Sequence, residues 1–137
     1  MAGVRLGYDA FCGMDCASDN FFSDGKYKIK DRPMALNNKQ LVAYYEELVK
    51  KYNILYLEDG LSEDDVEGWK YLTEKLGQNC VVTGDDLTAT NPERLQMALN
   101  TKLLTGIIIK PNQIGTVMES IAVVAMAKAA GLKVIVS

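Results

Sequence analysis

Five short apolar runs in this chain each end on a polar residue, and the later endings fall at nearly equal intervals. Ile54-Leu55-Tyr56-Leu57 ends on Glu58, Cys80-Val81-Val82-Thr83 leads to Asp85, Ile107-Ile108-Ile109 ends on Lys110, and Val134-Ile135-Val136 ends on Ser137. Glu58 and Asp85 are 27 positions apart, Asp85 and Lys110 are 25 apart, and Lys110 and Ser137 are 27 apart. A weaker run from Phe11 carries Asp15, which precedes Glu58 by 43 positions. That longer interval holds an Asp24-Gly25 hairpin signal between aromatic flanks and a polar loop over 28–38.

Helical patterns fill the gaps between the runs. Asn38 can cap a helix with Leu41, Tyr44, Tyr45, Leu48, Val49 and Tyr52 on one face. Ser62-x-x-Asp65 reads as the cap of a second, with Val66, Trp69, Leu72 and Leu76 inward and Gly77 at its end. Asn91-Pro92 opens a third, with Leu95, Ala98 and Leu99 inward. Thr116-x-x-Glu119 opens a fourth, with Val117, Ile121, Val124 and Ala125 on its packed face and Gly131 after it. Repeating strand–helix units of this size build an open doubly wound sheet or a (β/α)₈ barrel. No Gly-rich phosphate loop follows any strand, so the barrel is favoured. The expected fold is α/β and TIM-barrel-type: an incomplete barrel of about five parallel strands, at 11–16, 54–58, 80–85, 106–110 and 133–137, with intervening helices. No linker divides residues 1–137, which read as a single domain.

Composition removes several function classes. A net charge of −3 gives no electrostatic case for nucleic acid or an anionic membrane surface. The richest apolar stretch, Ile121 to Val136, is broken by Lys128, Gly131 and Lys133, so no span of membrane length is expected. The first residues show no signal-peptide pattern. Three cysteines without a CxxC spacing argue against a disulfide framework or zinc ribbon and for a reducing, cytoplasmic setting. With no histidine in the chain, a Ser-His or Cys-His nucleophile and a histidine metal site are both excluded.

Parallel strands bring their carboxyl ends to one rim, so Asp15, Glu58, Asp85 and Lys110 should converge there. Three hard carboxylates without imidazole or thiolate suit Mg²⁺. A lysine beside a divalent cation has its ammonium form disfavoured and its pKa lowered toward that of a useful base. Together they could abstract a proton next to a carboxylate, the cation stabilising the charge that develops. The plainer alternatives are polar strand ends or helix caps at Glu58-Asp59 and Asp85-Asp86, and a solvated surface lysine at Lys110. Trp69 and the tyrosines of the first helix read as core, and the cysteines as small buried hydrophobes.

Several stretches in order resemble the C-terminal domain of the enolases: Met14-Asp15-Cys16-Ala17-Ser18, Phe21-Phe22 with Asp24-Gly25-Lys26-Tyr27, Leu57-Glu58-Asp59, Gly84-Asp85-Asp86-Leu87-Thr88 with Thr90-Asn91-Pro92, Lys110-Pro111-Asn112-Gln113-Ile114-Gly115-Thr116, and the closing Val136-Ser137. The resemblance runs from about Gly13 to the end; residues 1–12 fit it poorly. It implies a Mg²⁺-dependent lyase that dehydrates 2-phosphoglycerate to phosphoenolpyruvate in glycolysis, in the cytoplasm. Asp15, Glu58 and Asp85 would be the metal ligands, and Lys110 the base that removes the C2 proton. The partner is the small-molecule substrate, with no nucleic acid or membrane, and the full-length protein is expected to be a homodimer. A closed barrel needs ~250 residues, so this chain is expected to be a fragment that is inactive by itself. The competing expectation is a non-catalytic, enolase-like binding or structural module.

Overall fold

β-branched and apolar runs pair in parallel because each is followed by a helix long enough to carry the chain back to the start of the sheet. The computed structural model describes residues 3–137; the reading of an N-terminus from Met1 and Ala2 lies partly outside them. Its main sheet has five strands, β1 (Cys12–Asp15), β4 (Ile54–Glu58), β5 (Val81–Gly84), β6 (Gly106–Ile109) and β7 (Lys133–Val136). They lie in the order β1-β4-β5-β6-β7, every neighbouring pair parallel. Helices α1 (Asn38–Tyr52), α2 (Val66–Leu76), α3 (Pro92–Thr101) and α5 (Val117–Ala129) make the crossovers, and α4 (Pro111–Ile114) is a single turn directly after Lys110. The small hairpin β2 (Phe22–Ser23) and β3 (Lys26–Tyr27) turns at Asp24 (φ 51°) and Gly25 (φ 71°). Both turn residues are left-handed, as a tight hairpin requires.

One face of the sheet is packed and the other carries the polar chemistry. Leu57 and Val82 pack with Leu41, Val42, Trp69 and Leu72 of α1 and α2, while Ile107 and Ile109 pack with Leu95, Val123 and Ala127 of α3 and α5. Side chains alternate along a strand, so the opposite face carries Tyr56, Glu58, Thr83, Ile108 and, just past the strand, Lys110. Gly13, paired with Tyr56 in register, leaves room there: a Cβ on it would stand 3.1 Å from the Tyr56 ring. Trp69 is fully buried, and its indole N–H donates to the Ser62 carbonyl at 2.9 Å.

The helix starts differ from expectation at two caps. Asn37, not Asn38, caps α1: its side chain accepts the Gln40 N–H at 2.9 Å, and the Gln40 side chain accepts the Asn37 N–H at 2.9 Å. The spacing of the reciprocal Gln40 decides between two adjacent asparagines. Asp65 caps α2 by accepting from the Gly68 N–H at 2.9 Å, which leaves the Ser62 hydroxyl free to donate to Asp19 at 2.6 Å. The largest departure is α5. Val117, Met118 and Ile121 are exposed, whereas Ser120, Val123 and Ala127 are buried. That helix is apolar nearly all the way round, so periodicity could not pick its packed side.

Candidate metal and proton-transfer site

β4 and β5 end in acidic pairs, and each pair divides its labour. Glu58 and Thr83 pair in register, so the strands stop level and the residues that follow meet at one rim. Asp59 is buried and left-handed (φ 41°). Its side chain turns across to β5, where its two oxygens accept the N–H groups of Asp85 (2.9 Å) and Asp86 (3.1 Å). Its own N–H donates to the Thr83 carbonyl at 3.0 Å, and its carbonyl accepts the Ser18 N–H at 3.1 Å. Asp59 therefore ties the ends of three strands together. Burial pushes its carboxyl up to about 6, against the lowering effect of those two backbone donors.

Glu58, Asp59 and Asp85 present carboxylate oxygens that lie within 4.8 Å of one another. Glu58 is steadied by Tyr56, whose hydroxyl donates to Oε2 at 2.6 Å. Burial raises the Glu58 pKa, and the nearby charges of Asp15 and Asp85 raise it further. Asp86 is raised as well, first by burial and then by Asp85. Lys110, the first residue past β6, donates its ammonium to Asp85 Oδ2 and is the cation within this set. That contact raises the Lys110 pKa, and the charges of Glu58 and Asp86 add to it. With respect to the carboxylates alone, the shift is opposite in sign to the lowering that a neighbouring divalent cation would produce.

Three of the four residues singled out from sequence, Glu58, Asp85 and Lys110, meet closely. Asp15 stands at the same rim, paired in register with Glu58, but is exposed; its Oδ1 accepts the Ala17 N–H at 3.1 Å, and it lies outside the close oxygen group. Asp59 takes its place in that group. The sequence offered a signal for Asp59, the acidic doublet at the strand end, but no means of telling which member faces the site.

The donor set suits a hard divalent cation. Asp15, Glu58, Asp59, Asp85 and Asp86 bring five carboxylates to a rim with Lys110 as counter-charge; burial is the main cause of the raised pKa values of Glu58, Asp59 and Asp86, and the neighbouring carboxylates add to it. Oxygen-only ligation of this kind fits Mg²⁺ or Mn²⁺ better than a soft metal. Asp59 is the poorest ligand of the close group, because both its oxygens already accept backbone N–H bonds.

A parallel βα sheet with acids and a lysine at the carboxyl ends of its strands defines a barrel-type enzyme domain. The family model described as "Enolase, C-terminal TIM barrel domain" matches residues 1–137, and the chain belongs to that family. The match takes in residues 1–12, which the sequence motifs alone had left out. Membership makes it an enolase-superfamily lyase domain by descent. Among the described residues, no helix is long and apolar enough to cross a membrane.

Proposed function

We propose that this chain carries the metal and base half of an enolase site, acting on 2-phosphoglycerate to give phosphoenolpyruvate in a cytoplasmic, glycolytic protein. The observation that carries the reading is the contact between Lys110 and Asp85 at the carboxyl rim, inside a cluster of oxygen donors. In this reading Asp15, Glu58 and Asp85 hold Mg²⁺, with Asp59 behind them fixing the Asp85 backbone. When bound, Mg²⁺ supplies positive charge beside the substrate carboxylate, where negative charge develops as the C2 proton leaves.

Lys110 takes that proton at Nζ. To do so its amine must be neutral, so its hold on Asp85 must weaken as the carboxylate's charge is taken up elsewhere. Tyr56 keeps Glu58 oriented throughout by donating to Oε2. Five strands fall short of the eight that close a barrel; turnover is accordingly assigned to the domain in a complete, homodimeric enolase. The second reading, a non-catalytic module, is favoured by the apolar side chains left exposed on α5, Val117, Met118 and Ile121, which suit a packing partner.

Two measurements on the purified chain separate these readings. Calorimetric Mg²⁺ titration should show binding that is abolished in Asp85→Asn; equal affinity in both proteins would sink the metal site. Mg²⁺-dependent consumption of 2-phosphoglycerate, run with Lys110→Ala beside it, tests the base. Turnover that survives Lys110→Ala refutes the assignment. Metal binding without turnover in either protein favours a site that needs the rest of a barrel.

A further inference from the structure

The loop leaving β5 holds two consecutive non-glycine residues in the left-handed region, Ala89 (φ 45°) and Thr90 (φ 53°). For a β-branched residue this is an outlier that the surroundings must enforce. Its effect is to aim a fully buried hydroxyl at the site. Thr90 Oγ1 accepts the backbone N–H of Lys110 at 2.8 Å and donates to Gln113 Oε1 at 2.9 Å. Because that hydroxyl has one proton and spends it on Gln113, the Gln113 amide must turn its Nε2 the other way. Nε2 in turn donates to Asp85 Oδ1 at 3.3 Å, while Asp85 Oδ2 accepts the Lys110 ammonium. The links close a ring from the Lys110 backbone through Thr90, Gln113 and Asp85 to the Lys110 side chain.

We propose that Thr90 and Gln113 are positioning residues that hold the Lys110 ammonium and the Asp85 carboxylate in fixed relation, so that base and metal ligand move as a unit. This rests on the reading of Lys110 as base and Asp85 as ligand. The ring fixes both ends of Lys110: its N–H through Thr90 and its Nζ through Asp85. Asp85 is held at both oxygens, by Gln113 at Oδ1 and by Lys110 at Oδ2. A loop staple alone would need the Thr90 contact to the backbone, but not the amide reaching Asp85.

The test uses the chain as it stands and two readouts that need no turnover. One is the acylation rate of Lys110 by an amine-reactive ester, mapped by mass spectrometry and normalised to Lys128. The other is Mn²⁺ affinity by calorimetry. Thr90→Val keeps the shape and removes the hydroxyl; it should speed Lys110 acylation roughly 2- to 10-fold, the range set by losing one net hydrogen bond. It should also weaken Mn²⁺ binding about 10-fold, as loss of a support behind a ligand does. Thr90→Ser, which restores the hydroxyl, should return both values to wild type. Gln113→Met leaves the buried loop intact, so it decides the matter if Thr90→Val does not fold; it too should speed acylation.

Wild-type acylation rates in both Thr90→Val and Gln113→Met overturn the proposal. So does a Thr90→Ser chain as impaired as Thr90→Val, which would assign the effect to packing of the methyl group. A wild-type chain that binds no Mn²⁺, or an Asp85→Asn chain that binds it equally well, defeats the metal reading instead, and the acylation rates still decide whether the ring holds Lys110.

Discussion

Replacing Asp59 with alanine should change how stability depends on pH more than it changes stability at pH 7. Two opposing effects meet at this residue. The variant strands the N–H groups of Asp85 and Asp86, the first of them buried; a buried donor left without a partner costs about 1–3 kcal/mol. It also removes a carboxyl whose pKa burial has raised from 3.8 to about 6, so that the folded protein holds this proton more tightly than the unfolded chain by about 3 kcal/mol. The sign follows from proton counting. As pH rises through about 4 to 6, the unfolded chain has released the proton while the folded one still keeps it, and wild-type stability falls across that window. Near pH 4 the wild type therefore enjoys the two hydrogen bonds without an ionised buried carboxylate, and Asp59→Ala should be less stable by about 2–4 kcal/mol. Near pH 7 the relief of that burial offsets most of the loss, and the two proteins should differ by about 1 kcal/mol or less. Urea unfolding followed by the fluorescence of Trp69, the single tryptophan, gives the free energies at each pH. A chelator belongs in every sample, because a bound cation would favour the ionised form. Parallel curves for the two proteins, or a gap that widens toward pH 7, would refute the reasoning.

Other expectations are simpler. Tyr56→Phe removes the hydroxyl that donates to Glu58 at 2.6 Å and leaves the ring beside Gly13, so divalent-cation affinity should fall about 10-fold with little change in thermal midpoint; calorimetry that finds unchanged affinity would remove Tyr56 from the support of the site. Asn91→Ala deletes a side chain that accepts the N–H groups of Glu93 (2.8 Å) and Arg94 (3.1 Å). It should lower unfolding free energy by about 1 kcal/mol, the usual worth of an N-cap, measured by urea titration.

Much of the architecture could be read from the chain because periodicity and punctuation agreed. The five strands stand where the apolar runs put them, in the parallel, helix-crossed arrangement that their spacing implied. Asn91 before Pro92 marked the start of α3 unambiguously, and Asp24-Gly25 marked the hairpin. Where the signals were degenerate, the reading drifted. Adjacent asparagines at 37 and 38 offer the same capping chemistry, and only the reach of Gln40 separates them. In α5 alanine, valine and methionine surround the axis, so burial is decided by where β6 and β7 leave space rather than by the helix itself. The turn of α4 after Lys110 was hidden because Pro111 starts it and Gly115 (φ 111°) stops it within four residues.

The site shows the same division more sharply. The meeting of Glu58, Asp85 and Lys110 at one rim was legible because each stands at or just past the end of a strand in a parallel sheet, although Asp15, which ends β1 at the same rim, stays outside the close group. The residues behind them were not, because their roles depend on backbone turns that no periodicity encodes. Asp59 reaches β5 because its φ is positive, and Thr90 reaches Lys110 for the same reason. Neither is a glycine, so composition gave no warning of a left-handed residue at either place. Both spend conformational strain to point a buried polar group at a residue on a different strand. The supports lie in exactly the segments where sequence rules are silent, and a search for them should begin from buried, left-handed, non-glycine residues beside strand ends. Among the described residues, Ala17, Asp24, Asn53, Asp59, Ala89, Thr90 and Lys102 are left-handed without being glycine; of these Asp59 and Thr90 alone are buried, and both carry polar side chains that brace the rim.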